Sequence, residues 1–296
     1  MRKWWLLLAG LVCWCLLGYG LLGRQAVRAH TPQTAPPTRI VSMGPNLTEI
    51  LYALGLGPEI VGVTVDSDYP PDVAQKPKVG SFWQPNLEAI IATRPDLVVT
   101  LGFAQHRTLA DRLRRMSYAC LTLDIETIDG LFQGILAAGA ATGTEGRAQE
   151  IVAEMRAQIA ALQGSITSGT RAKVLWVVQR EPLRVAGRDT FPNELIELAG
   201  GRNAIGPTLH KYPPIGAEQV LASGIDVIIE PTMVPGDEES QRAQALQYWS
   251  RWPNVPAVVN GRIYIVDGDL VSRLGPRLCE GIETVARCLR PEPLGE

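Results

Sequence analysis

A helical spacing of apolar residues runs through the middle of the chain, at residues 144–163. The apolar positions recur every three or four residues, which places them on one face of an α-helix. They are Ala148, Ile151, Val152, Met155, Ile159 and Leu162. Thr144 is a suitable N-cap residue, and Gly164 is a suitable end of the helix. The residues between them, about twenty, would form a helix roughly 30 Å long. The pattern therefore predicts a long amphipathic helix.

Similar sequence lies on both sides of this helix. Residues 87–100 (LEAIIATRPDLVVT) and 217–230 (AEQVLASGIDVIIE) each read as a short helix followed by an apolar strand. A shift of 130 residues aligns identical residue types, namely Glu88 with Glu218, Ala92 with Ala222 and Asp96 with Asp226. A looser similarity relates residues 45–55 to 192–200. The repeat favours two related lobes over the alternative, which is one doubly wound domain.

We therefore predict an α/β fold of two Rossmann-like lobes joined by a single long rigid helix, with a ligand cleft between the lobes. The predicted segments are a leader (1–29), a linker (30–38), an N-terminal lobe (39–143), the connecting helix (144–166) and a C-terminal lobe (167–296). Strands are predicted at 39–42, 60–65, 97–101, 120–123, 173–178, 227–230 and 263–266. Helices are predicted at 47–54, 87–94, 109–116, 127–142, 193–199, 217–222, 243–252 and 277–289. Ligands of such sheets bind beyond the carboxyl ends of the strands, so the loops after the strands form the candidate site.

The first residues have the character of a targeting segment. Basic residues 2–3 precede an apolar run at 4–23, and small residues within 27–29 offer a cleavage point before the globular part. The run is also long enough to span a bilayer, so an uncleaved signal anchor is the alternative. Cys13 and Cys15 admit a lipoprotein as a third interpretation, although neither follows a small residue. All three place the lobes outside the cytoplasm, as a periplasmic or tethered protein.

Composition narrows the class of function. The chain of 296 residues is 46% hydrophobic and 20% charged, as expected of a packed globular protein. A net charge of −2 and the lack of a basic cluster argue against nucleic-acid binding. Outside the leader the cysteines are Cys120, Cys279 and Cys288. Cys279 and Cys288 would lie about 13 Å apart on one helix, too far for a disulfide. A disulfide from Cys120 to either of them is the alternative, whereas the prediction is that these cysteines are buried free thiols.

The candidate loops carry aromatic residues and few catalytic groups. Tyr69, Trp83, Phe103 and Tyr212 lie in or beside Pro/Gly-rich loops and would form flat walls for a large ligand. The chain has none of the common nucleophile, phosphate-loop, zinc-protease or dinucleotide motifs. We therefore predict a binding protein rather than an enzyme, with no catalytic residues and no intrinsic cofactor.

The histidines supply little for a metal site. His106 and His210 fall in one predicted lobe each, whereas His30 borders the leader. Two histidines are fewer than the protein ligands of a usual zinc site, so no metal site is predicted. Either His106 or His210 could still serve as an axial ligand to a haem or corrinoid.

Glu88 and Glu218 are equivalent positions of the repeat. Each lies near the start of a short helix, where the helix dipole favours a carboxylate by about 0.3–1 kcal/mol. Related lobes would present the two carboxylates at equivalent points on one face. Such a pair suits a twofold-symmetric partner that offers basic sockets.

The segments SDYPP (67–71) and FWQPNLE (82–88) belong to a sequence that resembles the cobalamin-binding branch of periplasmic binding proteins with a rigid helical backbone. These proteins are the substrate-binding components of ABC importers for corrinoids, iron-siderophores and haem. The resemblance spans about residues 39–289 and is strongest in the first lobe. It implies that Glu88 and Glu218 dock on arginines of a permease dimer. It implies a ligand site formed by Tyr69, Trp83, Tyr212, Asp269 and Arg273.

The chain departs from the family pattern at two aromatic positions. Leu101 and Val178 stand where aromatic side chains can occur, with Phe103 and Arg180 close by as the candidate ligand contacts. These departures leave the predicted lobe architecture unchanged and leave the ligand open.

The resemblance predicts a monomeric extracytoplasmic protein that binds a corrinoid (cobalamin) in the cleft and delivers it to an ABC permease. The closest alternative is haem or a ferric siderophore, because Arg180 and Arg273 could pair with propionates. An enzyme acting on a tetrapyrrole or metal is a second alternative, for which Asp269 with His210 is the pairing available. A membrane-anchored sensor without an importer is the third.

Overall fold

Two mainly parallel sheets form the framework of the computed structural model, which describes residues 35–164, 170–232 and 238–290. The first sheet contains only parallel strand pairs, in the order β2-β1-β3-β4. Its strands are β1 (Ile40–Ser42), β2 (Ile60–Val63), β3 (Leu97–Leu101) and β4 (Cys120–Leu123). Its helices are α1 (Pro45–Ala53), α2 (Leu87–Ala92), α3 (Ala104–Arg115) and α4 (Ile128–Thr142). These elements form the first lobe.

The second sheet follows the order β6-β5-β8-β9, with β7 also paired to β5. Among the described strand pairs of this sheet, only β5–β6 is antiparallel. Its strands are β5 (Lys173–Gln179), β6 (Arg184–Val185), β7 (Arg202–Asn203), β8 (Val227–Thr232) and β9 (Ile263–Asp267). Its helices are α6 (Phe191–Leu198), α7 (Ala217–Ala222), α8 (Glu238–Trp249), α9 (Pro256–Val259), α10 (Gly268–Ser272) and α11 (Leu278–Leu289). The predicted fold class, two Rossmann-like lobes, is confirmed.

The repeat is visible in the backbone hydrogen bonds at the start of the strands. The Asp96 carboxylate accepts a bond from the Arg39 N–H (3.0 Å), and the Asp96 N–H donates to the Arg39 carbonyl (2.9 Å). Asp226 forms the same two bonds with Lys173, at 2.8 and 2.9 Å. Each aspartate therefore fixes the beginning of the strand beside its own, β1 in the first lobe and β5 in the second.

A long helix, α5 (Glu145–Gly164), joins the two lobes as predicted. Its buried residues are Ala148, Ile151, Val152 and Met155, with Ile159 and Leu162 partly buried against the same core. This core is continuous from α1 through α5 to α11 and includes residues of both sheets. Two smaller apolar clusters lie on the other sides of the sheets. Because the lobes share one core, α5 is a packed structural element and not a free linker.

Several helices begin earlier than the sequence pattern predicts. The helix predicted at 109–116 starts at Ala104, because Phe103 has the extended backbone of an N-cap. The segment between the predicted strand at 263–266 and the predicted helix at 277–289 contains α10, whose first turn is capped by the Asp267 carboxylate. Pro70 and Pro71 predict an irregular loop at 66–72. Instead Pro71 opens a 3₁₀-helix (Pro71–Gln75), since proline is tolerated in a first turn.

The structure also bears on the cysteines and on the predicted segments of the chain. Cys120, Cys279 and Cys288 are free and buried, as expected of structural thiols, and burial raises the pKa of Cys120 and of Cys288 to about 11. The leader at 1–29 and most of the linker lie outside the described residues, as do residues 165–166 of the connecting helix. Among the described residues, no helix is both long and apolar enough to cross a membrane. The lobe boundaries stay predictions.

Candidate functional site

The loop after β2 is fixed by a buried network of hydroxyl groups. Ser67 is only 2% exposed, and its Oγ lies 3.1 Å from Thr48 Oγ1 of α1 and 3.0 Å from Thr64 Oγ1. Anchoring Ser67 inward leaves the next two residues of the SDYPP segment, Asp68 and Tyr69, on the exposed side of the loop. The network therefore positions two side chains at the carboxyl end of β2.

A second loop of the first lobe carries Phe82 and Trp83. Gly80 allows its tight path, because its φ is +101° and a Cβ there would lie 2.5 Å from the Asn86 backbone nitrogen. The Phe82 N–H donates to the Asp66 carboxylate at 2.5 Å, which ties this loop to the one after β2. Both loops therefore form one surface at the carboxyl ends of the strands.

Three aromatic rings and one imidazole form a wall on this surface. The Phe82 ring lies 4.9 Å from that of Trp83 and 5.0 Å from that of Phe103, while Trp83 and Phe103 lie 5.6 Å apart. Trp83 is 65% exposed. Exposed aromatic area backed by packed rings is a preformed apolar contact surface. The structure therefore brings together Trp83 and Phe103 of the predicted site.

His106 packs behind this wall, and its surroundings do not suit the role of an axial ligand. It lies in the first turn of α3, fully buried, with its ring 4.1 Å from that of Phe103. Its Nδ1 accepts from the Leu101 N–H (3.1 Å), so Nε2 carries the proton and donates to the Phe82 carbonyl (2.9 Å). Burial lowers the pKa of His106, which keeps the ring neutral. Both nitrogens are used, so His106 has no lone pair free for a metal.

The last loop of the second lobe reaches the first lobe through Arg273. Its guanidinium binds the Asp68 carboxylate in a bidentate pair, with distances of 2.6 and 3.2 Å. Asp269, one turn earlier across α10, lies 2.7 Å from the same guanidinium. The Arg273 hydrogen bond lowers the pKa of Asp68, whereas burial raises that of Asp269. The predicted pair Asp269–Arg273 is therefore assembled and is joined by a carboxylate from the other lobe.

Arg277 forms a second bridge between the lobes. It binds the buried carboxylate of Glu49 in α1 through two hydrogen bonds of 2.9 and 2.7 Å. Its guanidinium also lies over the Tyr69 ring, 4.2 Å from the centroid, as a cation–π contact. Glu49 further lies 3.7 Å from Arg273. Tyr69, predicted from the sequence as a ligand residue, is thus held beside this cluster of charges.

Arg180 is directed into its own lobe. Its guanidinium lies 2.7 Å from the Glu230 carboxylate, and it also donates to the Gln241 carbonyl at 3.1 Å. The other oxygen of buried Glu230 accepts from the Trp249 indole N–H at 2.6 Å. The main chain of Arg180 is fixed as well, since its carbonyl accepts from the Tyr248 hydroxyl. This candidate ligand contact is therefore engaged in an intramolecular ion pair.

Tyr212 and His210 lie on an exposed loop of the second lobe. Neighbouring Lys211 pairs with Glu126 of the first lobe at 2.7 Å, just after β4. Tyr212 is 41% exposed, and partial burial raises the pKa of its hydroxyl. His210 is exposed, so it is the one predicted axial ligand that the structure leaves accessible among the described residues.

Glu88 and Glu218 occupy the same place in two short helices. Each is the second residue of a six-residue helix, α2 or α7, and both are exposed. The N-caps differ, because Asn86 accepts from the Ala89 N–H whereas Gly216 has no capping side chain. Both carboxylates are therefore available to a partner at equivalent points of the repeat.

The sequence did not identify three of the charged residues that join the two lobes, namely Glu49, Asp68 and Arg277. Asp68 stands beside Tyr69 in SDYPP, and Arg277 follows Arg273 at a helical spacing of four. Glu49 is a charged residue on the buried side of α1, which is a signal for a paired group. The described part of the chain holds no group of three or more His, Cys, Asp or Glu side chains suited to a metal ion.

Comparisons with known proteins relate this geometry to one family. A family model described as periplasmic binding protein matches residues 40–270. An uncharacterized ABC transporter substrate-binding lipoprotein of Bacillus subtilis, YvrC, is 31% identical over 268 residues, which cover 88% of this chain and 82% of that protein.

Two solved structures of Vibrio cholerae proteins have the same architecture. The periplasmic vitamin B12-binding protein BtuF is 26% identical, with a TM-score of 0.73 over 86% of this chain and 97% of its own. The periplasmic haem-binding protein HutB is also 26% identical, with a TM-score of 0.76 over 86% of this chain and 99% of its own. One architecture is thus shared by proteins named for different ligands.

Proposed function

Since the chain belongs to the periplasmic binding protein family, we propose that it is the substrate-binding protein of an ABC importer and captures a corrinoid between its lobes. Members of this family are solute-binding proteins, which supports a binding role over an enzymatic one. The ligand is cargo, so the protein needs no resident cofactor. The binding lobes act outside the cytoplasm, and the leader delivers or tethers them there.

The walls of the proposed site suit a large, flat ligand. Trp83 and Phe103 offer an aromatic surface on the first lobe, and Tyr212 offers a half-exposed ring on the second. Contact with aromatic faces buries much apolar area at a low entropic cost. Asp269 and Arg273 then supply the polar contacts at the edge of the macrocycle.

The observation that favours a corrinoid over haem is that three cationic side chains are already paired with carboxylates of the protein. Arg180 pairs with Glu230, Lys211 with Glu126, and Arg273 with Asp68 and Asp269. A haem propionate that bound one of these three cations would compete with a carboxylate of the protein. The amide groups around a corrin ring can instead donate to the carboxylates and accept from the cations without breaking the charge balance.

Haem is the second candidate, and two observations favour it. The haem-binding structure HutB matches this chain as closely as the B12-binding structure does. His210 is exposed on the loop that carries Tyr212. Haem bound through His210 would give a ligation spectrum that a His210→Ala substitution abolishes.

We expect Trp83→Ala to weaken cyanocobalamin binding by about tenfold to a hundredfold, because truncating an aromatic anchor removes most of its contact area. Equilibrium dialysis measures this change. Leu246→Ala removes an apolar side chain of α8 that is 44% exposed and serves as the control, with unchanged affinity expected. Equal affinities of Trp83→Ala and the wild type would contradict the proposed wall.

Docking to the permease depends on Glu88 and Glu218 in this proposal. The double substitution Glu88→Ala, Glu218→Ala should keep ligand affinity and lose stimulation of the importer, since the two carboxylates are exposed and outside the cleft contacts. ATP hydrolysis by the reconstituted importer is the measurement. Glu150→Ala with Glu154→Ala, which removes two exposed glutamates of α5, is the control. Loss of ligand binding in the docking variant would count against this role.

A further inference from the structure

The charges that join the lobes form one connected cluster. Two guanidinium groups, Arg273 and Arg277, contact three carboxylates, Glu49, Asp68 and Asp269. With all groups ionised the cluster carries one net negative charge. Its two arginines are each less than one-fifth exposed in their side chains, so the attraction between the charges is weakly screened.

Asp68 is the most accessible carboxylate of this cluster. Its side chain is 52% exposed, against 24% for Asp269 and 3% for Glu49. It also forms the bidentate pair with Arg273, which is the geometry that a carboxylate of a ligand would use. Asp68 thus occupies the position that an acidic ligand group would need.

We propose that Asp68 is a specificity-determining residue, which selects ligands with neutral amide groups and rejects those with carboxylates at the same edge. An incoming carboxylate must displace Asp68 and approach a cluster that is already net negative, which is unfavourable. An amide donates its N–H to Asp269 or Asp68 and accepts from Arg273, so it joins the cluster without expelling a charge. This inference rests on the proposed function, since it concerns the same cleft.

The test compares one ring in two charge states. Cyanocobalamin and its acid derivative, in which one side-chain amide is hydrolysed to a carboxylate, are titrated into the wild type and Asp68→Asn. The wild type should prefer the amide form. Asp68→Asn should reduce that preference about tenfold, mainly through tighter binding of the acid, because the cluster then carries no net charge and Arg273 loses its bidentate carboxylate partner.

Matched variants separate a local effect from a general change of charge. Asp111→Asn removes an exposed aspartate that pairs with Arg114 on α3, and it should leave the preference unchanged. Asp68→Ser removes the same charge as Asp68→Asn with a different side chain and should reproduce its effect. Retained cyanocobalamin binding with an unaltered preference in both Asp68 variants would overturn this inference alone. No binding of either corrinoid by the wild type would overturn the proposed function and this inference with it.

Discussion

The two lobes are alike where their strands begin and differ where their strands end. At the beginnings, Asp96 and Asp226 form the same pair of backbone bonds, with Arg39 and Lys173 respectively. The side chains correspond as well, since Arg39 donates to the Thr93 carbonyl and Lys173 donates to the Ser223 carbonyl, two acceptors that are 130 residues apart.

At the carboxyl ends the first lobe presents an aromatic wall, whereas the second presents charged groups on α10. Trp83 and Phe103 pack against each other beside the buried His106, while Arg273 pairs with Asp269 and reaches across to Asp68. The comparison teaches that the repeat belongs to the framework and that each lobe adds its own chemistry at the site. A ligand between the lobes would meet an apolar face on one side and polar contacts on the other.

The largest expected effect comes from the core that both lobes share. Met155 of α5 is 4% exposed within this core, so Met155→Ala should lower the free energy of unfolding by about 2–5 kcal/mol. Both lobes should lose stability together, in a single urea transition followed by circular dichroism and tryptophan fluorescence. Met116→Ala, which truncates a methionine that is 47% exposed, should change stability by less than about 0.5 kcal/mol. Two separate transitions, with one lobe unaffected, would break the comparison by showing independent lobes.

A smaller effect tests the repeat at one backbone position. Arg94 and Gly224 are equivalent and both have positive φ, +50° and +59°, just after α2 and α7. Gly224→Ala should lower the free energy of unfolding by about 1 kcal/mol, because an L-residue is strained there. Arg94→Gly should raise it by up to about 1 kcal/mol by the converse argument.

The control for this pair is Arg94→Ala, which removes the side chain but keeps the strained φ. Thermal unfolding of all variants supplies the comparison, at one protein concentration and pH. Changes of opposite sign in the free energy of unfolding for Arg94→Gly and Gly224→Ala would support the equivalence of the two turns. A loss of stability in Arg94→Gly would show that the two turns are not energetically equivalent.

The framework could be predicted because its signals are local. The helix–strand unit around Glu88 and its repeat around Glu218 are short, periodic and bounded by turn residues, and α7 and β3 match the predicted bounds. The sequence pattern does not predict the start of α3, because the residues before Leu109 lack a regular spacing of apolar residues. His106 therefore lies outside the predicted helix, although in the structure it is a buried residue of α3.

The site could be predicted only in outline, because its contacts are long-range. Tyr69, Trp83 and Phe103 were identifiable as aromatic residues of loops after strands. Arg277 and Glu49, in contrast, are 228 residues apart in the chain and meet only through folding. No spacing in the sequence reveals such a pair, and the same holds for Arg273 with Asp68.

The central claim is that the cleft between the lobes binds a corrinoid, and parallel calorimetric titrations test it most directly. The chain from residue 38 onward is titrated with cyanocobalamin and, separately, with haem. The account predicts 1:1 binding of cyanocobalamin with a Kd below about 1 μM, or roughly 8 kcal/mol of binding free energy, and weaker binding of haem. No heat with cyanocobalamin beside tight binding of haem would contradict it.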